Sequence, residues 1–366
     1  MKIIVALSGG VDSAVAASRL VRDGHEVVAV TMRLADLASC GLGSSRCCSP
    51  GDVEVAARTA WALGIRHEVV DLGAEFRREV LEPFVESYLA GETPSPCVRC
   101  NSRVKFGAIL AGMEKFDADS LATGHYARVE HGPDGSILRR GVDAAKDQAY
   151  FLWELAPEQL RRVCFPLGGS LKSAVRAEAR ALDLPSAGKA DSQEICFVPP
   201  GGSYRDVIRV LAADRLPGQG EVVDELGNVL GGHGGFHLFT IGQRHGLGVA
   251  GSERVYVTAI DAARNRVVVG GRERTVCSWL RLREANWLGA PPPVSFAALV
   301  QVRSRHEAQS ARVTPGPAST ADVRFDEPVM APAPGQAAVV FAGDRVLGGG
   351  WIAAIGQPPK GSPAAL

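Results

Sequence analysis

Apolar positions in the N-terminal third of the chain follow two alternating patterns. Short apolar runs typical of buried strands occupy residues 3–7, 25–32 and 68–72, with a strand end at 121–123. Between these runs, apolar residues recur at helical spacing over 11–21, 53–63, 76–89 and 102–113. Strands that alternate with helices in this way predict a parallel sheet wrapped by helices.

The C-terminal part follows a different rhythm. Two apolar runs, 255–260 and 267–269, flank a polar turn and predict a hairpin. Further short runs, separated by Pro and Gly, lie at 296–302, 311–314, 321–325, 337–341 and 345–347. Such strands predict a small barrel or sandwich. We therefore expect three domains at 1–205, 206–280 and 281–366, with linkers near 199–202 and 290–293.

Composition narrows the classes of partner and compartment. The 366 residues are too many for one ordinary core. Forty basic side chains balance forty acidic ones. A nucleic-acid partner would therefore have to bind a local basic patch, since the net charge of the protein is zero. No secretory signal opens the chain, and no apolar run approaches the roughly 20 residues that cross a bilayer. We expect a cytoplasmic protein with no membrane partner.

The segment Ser8-Gly9-Gly10-Val11-Asp12-Ser13 is the strongest local motif, since it joins a predicted strand to a predicted helix. Two glycines allow a tight turn, and the helix N-terminus favours an anion. Asp12 is unexpected beside phosphates unless a cation such as Mg²⁺ lies between them. The loop lacks the Gly-Lys-Ser/Thr end of a Walker loop and resembles that of the ATP pyrophosphatases. A Gly-rich turn without a ligand is the alternative.

Six of the eight cysteines fall in three stretches, with Cys40, Cys47 and Cys48 in the first, Cys97 and Cys100 in the second and Cys196 in the third. In a cytosolic enzyme this grouping indicates thiol chemistry or metal. Cys97 and Cys100 form a Cys-x-x-Cys in a proline-stiffened loop before the helix predicted from 102, where a helix N-terminus would lower a thiol pKa. Cys196 stands alone. A zinc site would need a second such pair, and none follows. Cys40, Cys47 and Cys48 lie in a Gly/Ser-rich stretch that we interpret as a solvent-facing loop, with a sulfur relay or metal site as the alternative.

Six ordered motifs together resemble the tRNA-specific 2-thiouridylases over nearly the whole chain. They lie at 8–13, 93–101 with 105–106, 122–127, 146–152, 191–197 and 240–244. The resemblance implies an N-terminal doubly wound parallel sheet of the PP-loop, adenine nucleotide alpha hydrolase-like type. A small central domain and a C-terminal β-barrel that contacts tRNA would follow it.

The resemblance also implies roles for residues of this chain. Cys100 matches the family's nucleophile and Cys196 the cysteine that carries persulfide sulfur. The ATP-binding positions would be Ala6, Leu7, Ser8, Gly9, Gly10, Val11, Asp12, Ser13, Met32 and Gly124. The tRNA-binding positions would be Ser95, Pro96, Cys97, His125, Lys146, Asp147, Gln148, Arg305, His306 and Gln336. Two positions depart from the family pattern, with Ser95 where Asn is common and Cys97 where Asp is common, so no proton-transfer role is carried over to residue 97.

The activity implied is ATP-dependent 2-thiolation of the wobble uridine of tRNA. ATP would adenylate the C2 oxygen, releasing pyrophosphate, and sulfur would then displace AMP. The sulfur would come from a persulfide donor such as a cysteine desulfurase or a sulfur-relay protein. Cys100 and Cys196 would finish as a disulfide. In an alternative scheme, Cys97, Cys100 and Cys196 hold an iron–sulfur cluster that binds sulfide.

Two other functions compete with this interpretation. Another ATP pyrophosphatase, such as an amidotransferase-type synthetase or a lysidine-forming tRNA ligase, would use ammonia or lysine and would not need paired cysteines. A non-catalytic tRNA-binding or sulfur-carrier protein would not need the phosphate loop. Two local features also stay open at this point. His125 is either a site residue at a strand end or a buried core histidine, and the basic helix predicted over 170–182 either faces solvent or contacts phosphate.

Overall fold

The computed structural model describes residues 1–34, 49–191, 195–199, 201–249, 254–292 and 294–356. Contacts among these residues divide the chain into two compact units. The first unit takes the described residues of Met1–Leu81, Pro96–Ser203 and Asp344–Leu347, and the second takes those of Glu82–Ser95, Tyr204–Gly343 and the chain from Gly348 on. Each unit is therefore discontinuous in sequence. The three predicted domains stay a prediction.

The first unit is built on a parallel sheet, as predicted. Its strands are β1 (Lys2–Ala6), β2 (Glu26–Arg33), β3 (Arg66–Asp71), β4 (Ser120–Ala122) and β7 (Val163–Cys164). They run in the order β3-β2-β1-β4-β7, with Ile4 opposite both Val28 and Leu121. Successive residues of β1 point to opposite faces, yet Ile3, Ile4 and Val5 are all buried. Both faces of the sheet are therefore covered, as is usual for parallel sheets.

The helices of this unit include α1 (Val11–Arg22), α2 (Pro50–Ala62), α3 (Gly73–Phe76), α5 (Pro96–Arg99), α6 (Ile109–Ala111), α7 (Pro157–Leu160) and α8 (Lys172–Ala181). Ala17 and Leu20 of α1 and Ala56 and Ala60 of α2 pack in the core cluster that holds Ile3 and Val5. Val175 and Ala179 of α8 pack on the opposite side of α1, in the cluster with Ala14 and Val15.

Two helices predicted as regular contain π-helical turns. The first prediction, 76–89, is observed as α3, a π-helix over Arg77–Leu81, and α4 (Glu82–Leu89). The second, 102–113, begins six residues earlier than predicted, at Pro96, and continues as a π-helix over Cys100–Ala108 before α6. Proline suits a first helical turn because that turn needs no N–H from it. Cys97 and Cys100 consequently lie inside the helical segment rather than in a loop before it.

The first unit contains a hairpin that the apolar pattern did not predict. Its strands are β5 (Ala127–Gly132) and β6 (Gly135–Arg140). Asp344 ties it down, because it accepts hydrogen bonds from Arg128 Nη2 at 2.6 Å and Arg139 Nη1 at 2.7 Å. These partners are more than 200 residues apart, so no local pattern indicates the pairing.

The second unit contains α4, α9 (Tyr204–Leu211) and two sheets. The smaller sheet orders its strands β10-β11-β8-β9, from Tyr256–Asp261, Arg266–Gly270, Gly220–Val223 and Val229–His233. β10 and β11 form the predicted hairpin.

The larger sheet closes into the predicted barrel, because β12 pairs with both β15 and β17. The barrel strands are β12 (Val276–Trp287), β13 (Phe296–Gln301), β14 (Gln309–Gly316), β15 (Thr320–Met330), β16 (Ala337–Ala342) and β17 (Arg345–Gly356). Alternate residues such as Leu280 and Leu282 are buried, which is the pattern of a filled barrel. β12 runs across the position where we placed the last domain boundary. No helix in the described ranges is long and apolar enough to cross a membrane.

Candidate active site

The loop between β1 and α1 has the geometry of an anion cradle. Gly9 has a φ of +72°, and a Cβ there would lie 2.3 Å from the carbonyl oxygen of Asp52. Gly10 caps α1 without a side-chain hydrogen bond, so the first N–H groups of the helix face outward uncapped. Ser13 closes the loop, since its Oγ accepts from Ser8 N at 3.2 Å and donates to the Gly10 carbonyl at 3.1 Å. These residues fit the triphosphate of ATP.

Gly124, which follows β4, lies against the start of α1. A Cβ at Gly124 would come within 2.8 Å of the Asp12 carbonyl carbon and 2.9 Å of Ser13 N. β1 and β4 are neighbours where the strand order changes direction, and open α/β sheets bind ligands at such points. Met32 belongs to the end of the adjacent strand β2. The structure thus brings most of the expected nucleotide positions to one edge of the sheet.

Asp12 forms an ion pair with a lysine in this structure. Lys172 Nζ donates to its Oδ1 at 2.6 Å and its Oδ2 at 2.7 Å, and the Tyr126 hydroxyl donates to Oδ1 at 2.9 Å. Among the residues that the structure describes, no three His, Cys, Asp or Glu side chains are grouped to hold a metal ion. As placed here, Asp12 does not fit the expected Mg²⁺ contact, because an ammonium group already supplies the neighbouring cation.

Lys172 extends this network to Asp191, at 3.0 Å. Lys146 Nζ donates to Asp191 at 2.9 Å, and Arg176 Nη2 donates as well. Burial raises the pKa of Asp191, but hydrogen bonds from Lys146 and Lys172 outweigh it and hold the pKa well below its usual value. The basic helix α8 therefore turns Lys172 and Arg176 towards the site carboxylates, which neither sequence interpretation anticipated.

Lys189 and Asp52, which were not predicted as site residues, contribute to holding the loop between β1 and α1. Lys189 Nζ donates to the Gly9 carbonyl at 3.1 Å and also pairs with Asp52. Asp52 is the third residue of α2, in a capping box with Ser49 at the N-cap. Apolar spacing predicted that helix from residue 53, whereas it begins at Pro50. The spacing Ser49-x-x-Asp52 carries the signal that would have corrected this.

In the Cys-x-x-Cys pair, Cys100 is buried and Cys97 is half-buried, and the pKa of neither thiol is lowered. Burial raises the pKa of Cys97 to about 11 and that of Cys100 to about 12. Negative charge on a Cys196 thiolate would raise both pKa values further, and the charge of Lys105 acts in the opposite direction. The expected lowering of the pKa at a helix N-terminus is therefore wrong. Cys97 does lie in the first turn of the helix that starts at Pro96, but desolvation outweighs any effect of the helix N-terminus on the pKa of either thiol.

All three candidate sulfur residues are free thiols in the same unit. Cys97, Cys100 and Cys196 are not among any metal-binding group of the described residues. Cys40, Cys47 and Cys48 lie outside the described residues.

His125 lies in an aromatic environment beside the cysteine helix. Its ring is 5.8 Å from that of Phe106 and 5.9 Å from that of Phe165, and its Nδ1 is 2.6 Å from Thr123 Oγ1. Burial, with the nearby charge of Lys105, lowers the pKa of His125 to about 3. The imidazole is therefore neutral at physiological pH, and any contact that it makes with RNA is not an ion pair with phosphate.

The predicted tRNA positions 146–148 are engaged within the first unit. Asp147 accepts from Gly141 N at 2.9 Å and Ala149 N at 3.1 Å, and Arg140 Nη1 donates to it at 2.7 Å. Gln148 Oε1 accepts from Tyr126 N at 2.9 Å. Asp147 and Gln148 thus shape the loop that presents Lys146 to Asp191.

The remaining tRNA candidates, apart from Pro96 and Cys97, lie in the second unit. Arg305 is exposed, and burial, followed by the charge of Arg303, lowers the pKa of the half-buried His306. Thr93 N donates to the Pro334 carbonyl at 2.8 Å, which places the segment before Ser95 beside the turn that precedes Gln336. Gln336 Oε1 is buried without a partner in this structure.

Comparison with known proteins identifies the family. Residues 1–200 match the tRNA methyl transferase HUP domain, 209–271 the tRNA methyl transferase PRC-barrel domain and 278–352 the aminomethyltransferase beta-barrel domain. The chain is 47% identical to the tRNA-specific 2-thiouridylase MnmA of Acidithiobacillus ferrooxidans over 96% of its length and 98% of that protein. The chain belongs to the tRNA-specific 2-thiouridylase family. The 2-thiouridylase of Geobacter metallireducens is 46% identical, covering 96% of both chains.

Solved structures resemble this 2-thiouridylase family member more distantly. NMN synthetase from Francisella tularensis aligns with a TM-score of 0.35 and 19% identity, over 59% of this chain and 78% of that one. A 4-thiouridine synthetase in complex with RNA and ATP aligns with a TM-score of 0.34 and 17% identity, over 57% and 50%.

Proposed function

We propose that this 2-thiouridylase family member thiolates C2 of the wobble uridine of tRNA, using ATP and a persulfide. The observation that carries the proposal is one unit that holds both an uncapped Gly9-Gly10 helix N-terminus and two free thiols, the half-buried Cys97 and the buried Cys100. The charge of a Cys196 thiolate raises the pKa of both thiols, which supports closeness of Cys196 to them. The curated relatives named above are 2-thiouridylases.

The phosphate loop supplies the first half of the reaction. The C2 oxygen of uridine is a poor leaving group until ATP transfers AMP to it and releases pyrophosphate. The N–H groups at the start of α1 face the position of the phosphates, so they stabilise the charge that develops there. Ala6–Ser13, Met32 and Gly124 form the nucleotide site in this proposal, and Lys172 holds Asp12.

The cysteines supply the second half. The terminal sulfur of a Cys196 persulfide attacks C2 and displaces AMP, which leaves the uridine joined to Cys196 through a disulfide. The Cys100 thiolate then attacks the Cys196 sulfur, and the bond between the two sulfurs of that linkage breaks. The thiouridine is released, and Cys100 and Cys196 remain as a disulfide that an external thiol reduces. The raised pKa of Cys100 keeps it protonated until then, so its proton must be accepted during the attack.

Partners follow from the chemistry. The persulfide on Cys196 requires a sulfur donor such as a cysteine desulfurase or a sulfur-relay protein. The tRNA would be contacted through the segment 95–97, His125, Lys146 and the barrel residues Arg305, His306 and Gln336. The iron–sulfur alternative with Cys97, Cys100 and Cys196 predicts a different dependence on iron.

The test is thiolation of a wobble-uridine tRNA transcript with MgATP and a persulfide donor, measured by nucleoside mass spectrometry. Cys100→Ser and Cys196→Ser should each abolish 2-thiouridine, whereas Cys164→Ser, at a half-buried thiol of β7, should retain activity. Full turnover by either site variant would reject the scheme. Anaerobic protein is assayed before and after iron chelation. If chelation abolishes activity and added iron and sulfide restore it, the iron–sulfur mechanism is supported and the persulfide mechanism is rejected.

A further inference from the structure

The helical turn that carries Cys100 is held by one buried carboxylate. The Glu154 side chain is 7% exposed, and its two oxygens serve different neighbours on that turn. Oε1 accepts from Arg99 Nη1 at 2.9 Å, and Oε2 accepts from Ser102 Oγ. Arg99 precedes Cys100 directly and Ser102 follows it by two residues. The carboxylate therefore binds the helical segment on both sides of the Cys100 thiol.

The segment around Glu154 holds the same turn at two more points. Asn101 Nδ2 donates to the Phe151 carbonyl at 3.1 Å, and Gln159 Nε2 donates to the Ser102 carbonyl at 3.0 Å. This turn begins the π-helix over Cys100–Ala108. π-Helical turns are rare, and often mark functional sites. Side-chain contacts from a neighbouring segment therefore help to fix an unusual backbone at the nucleophile.

Glu154 is the charged member of these contacts. Burial of a carboxylate destabilises the fold unless the charge is paired and hydrogen-bonded. Arg99 supplies the opposite charge for Glu154, and Ser102 donates a hydrogen bond to it. The other two contacts end on backbone carbonyls. Together with the paired charge, they constrain the backbone on both sides of Cys100.

We propose that Glu154 is a positioning residue that aims the Cys100 sulfur at Cys196. The proposal rests on the proposed function, in which those two sulfurs must meet. A misplacement of about 1 Å at reacting atoms can cost on the order of a hundredfold in rate. The rate at which the two thiols form a disulfide therefore reports on this contact.

The experiment compares the wild type with Glu154→Gln, which keeps the shape of the side chain and removes its charge. The Arg99→Met and Glu154→Leu double variant keeps the site packed without leaving a buried charge, in case the single variant folds poorly. Glu178→Gln is the control, because Glu178 forms a partly buried pair with Arg19 at 2.6 Å on a helix that does not carry the cysteines. Disulfide formation between Cys100 and Cys196 is followed by peptide mass spectrometry in a fixed oxidising thiol buffer, without tRNA or ATP.

We expect both Glu154 variants to slow disulfide formation and kcat by about tenfold or more, with KM for tRNA within about twofold. Glu178→Gln should slow neither, even where its thermal stability falls as much. Disulfide formation at the wild-type rate in both Glu154 variants, or equal slowing in the control, would overturn the proposal. If the wild type thiolates no tRNA while the Glu154 variants still slow disulfide formation, the proposed function fails and the positioning role stands.

Discussion

Asp191 shows how the chemistry of a residue depends on neighbours that are distant in sequence. Three basic side chains, from Lys146, Lys172 and Arg176, converge on this one carboxylate. Lys172 is 7% exposed and would be costly to bury as a charge without the partners Asp12 and Asp191. The same ion pairs join the segment that leads to Cys196 to the phosphate loop.

This cluster predicts a dependence of stability on pH. The pKa of Asp191 is lower in the folded protein than in the unfolded chain, where it is about 3.9. Its charge therefore stabilises the fold above that value, and the stabilisation is lost as the pH falls towards the folded pKa. Asp191→Asn should lower the free energy of unfolding by on the order of 2 kcal/mol at pH 7. The difference from wild type should shrink between about pH 4 and pH 2.

Urea denaturation of both proteins from pH 2 to pH 7 measures this difference. Asp134→Asn, at an exposed carboxylate of the β5–β6 turn, serves as the control and should differ little from wild type throughout. A difference for Asp191→Asn that is equally large at pH 2 and pH 7 would contradict the assignment.

Site residues whose role depends on neighbours in sequence could be predicted, whereas those whose role depends on distant residues could not. Ser8 to Ser13 could be predicted as a phosphate loop because a strand, two glycines and a helix start lie within a few residues. The raised pKa of Cys100 could not be predicted, since it depends on burial. The role of Lys172 could not be predicted either, because its partner Asp12 lies 160 residues away.

At the scale of elements, the contact between β4 and α1 decides the shape of the nucleotide site. Gly124 has no side chain, and this allows the chain to pass within van der Waals distance of the Asp12 backbone. Any larger residue must push the phosphate loop or the strand end away. The requirement concerns space, since Gly124 is not among the residues with a positive φ.

Gly124→Ala should therefore weaken ATP binding by about tenfold or more, which corresponds to about 1.4 kcal/mol. Gly169→Ala is the control, because a Cβ at Gly169 would have no atom within 4 Å. Calorimetric titration with a non-hydrolysable ATP analogue compares the two variants with wild type. Equal affinity of the two variants for the analogue would show that the site accommodates a Cβ at Gly124.

Element types were easier to predict than element boundaries. The alternation of β1, α1, β2, α2 and β3 was predicted because each strand is a continuous apolar run and each helix has its own period. The π-helix over Cys100–Ala108 was missed, since a change of hydrogen-bond register leaves no mark on apolar spacing. The start of its helical segment at Pro96 was missed because two prolines in the motif suggested a loop.

At the scale of the whole molecule, the chain leaves the first unit at Glu82 and re-enters it at Pro96. This excursion could not be predicted, because apolar patterns report what an element buries but not which core it joins. Within the second unit, Glu92 forms a bidentate pair with Arg283 at 2.8 and 2.7 Å. Tyr88 stacks on Tyr204 at 4.8 Å. The residues that lead into Ser95 and the cysteine motif are thus anchored in the unit that contains the barrel.

Arg283→Met should loosen this anchor. Without the bidentate pair, the backbone amides of residues 88–95 should exchange hydrogen roughly five- to thirtyfold faster, as expected for the loss of about 1–2 kcal/mol of local stability. Arg281→Met is a close control, because Arg281 lies on the same strand β12 and forms a bidentate pair with Asp322 at 2.9 and 3.1 Å. Hydrogen exchange with mass spectrometry compares the two variants. Equal exchange of 88–95 in both would mean that Thr93, Tyr88 and the surrounding packing hold the segment without Arg283. Selective loosening would show that a barrel strand supports the chain leading to the cysteines, and would predict reduced thiolation in Arg283→Met alone.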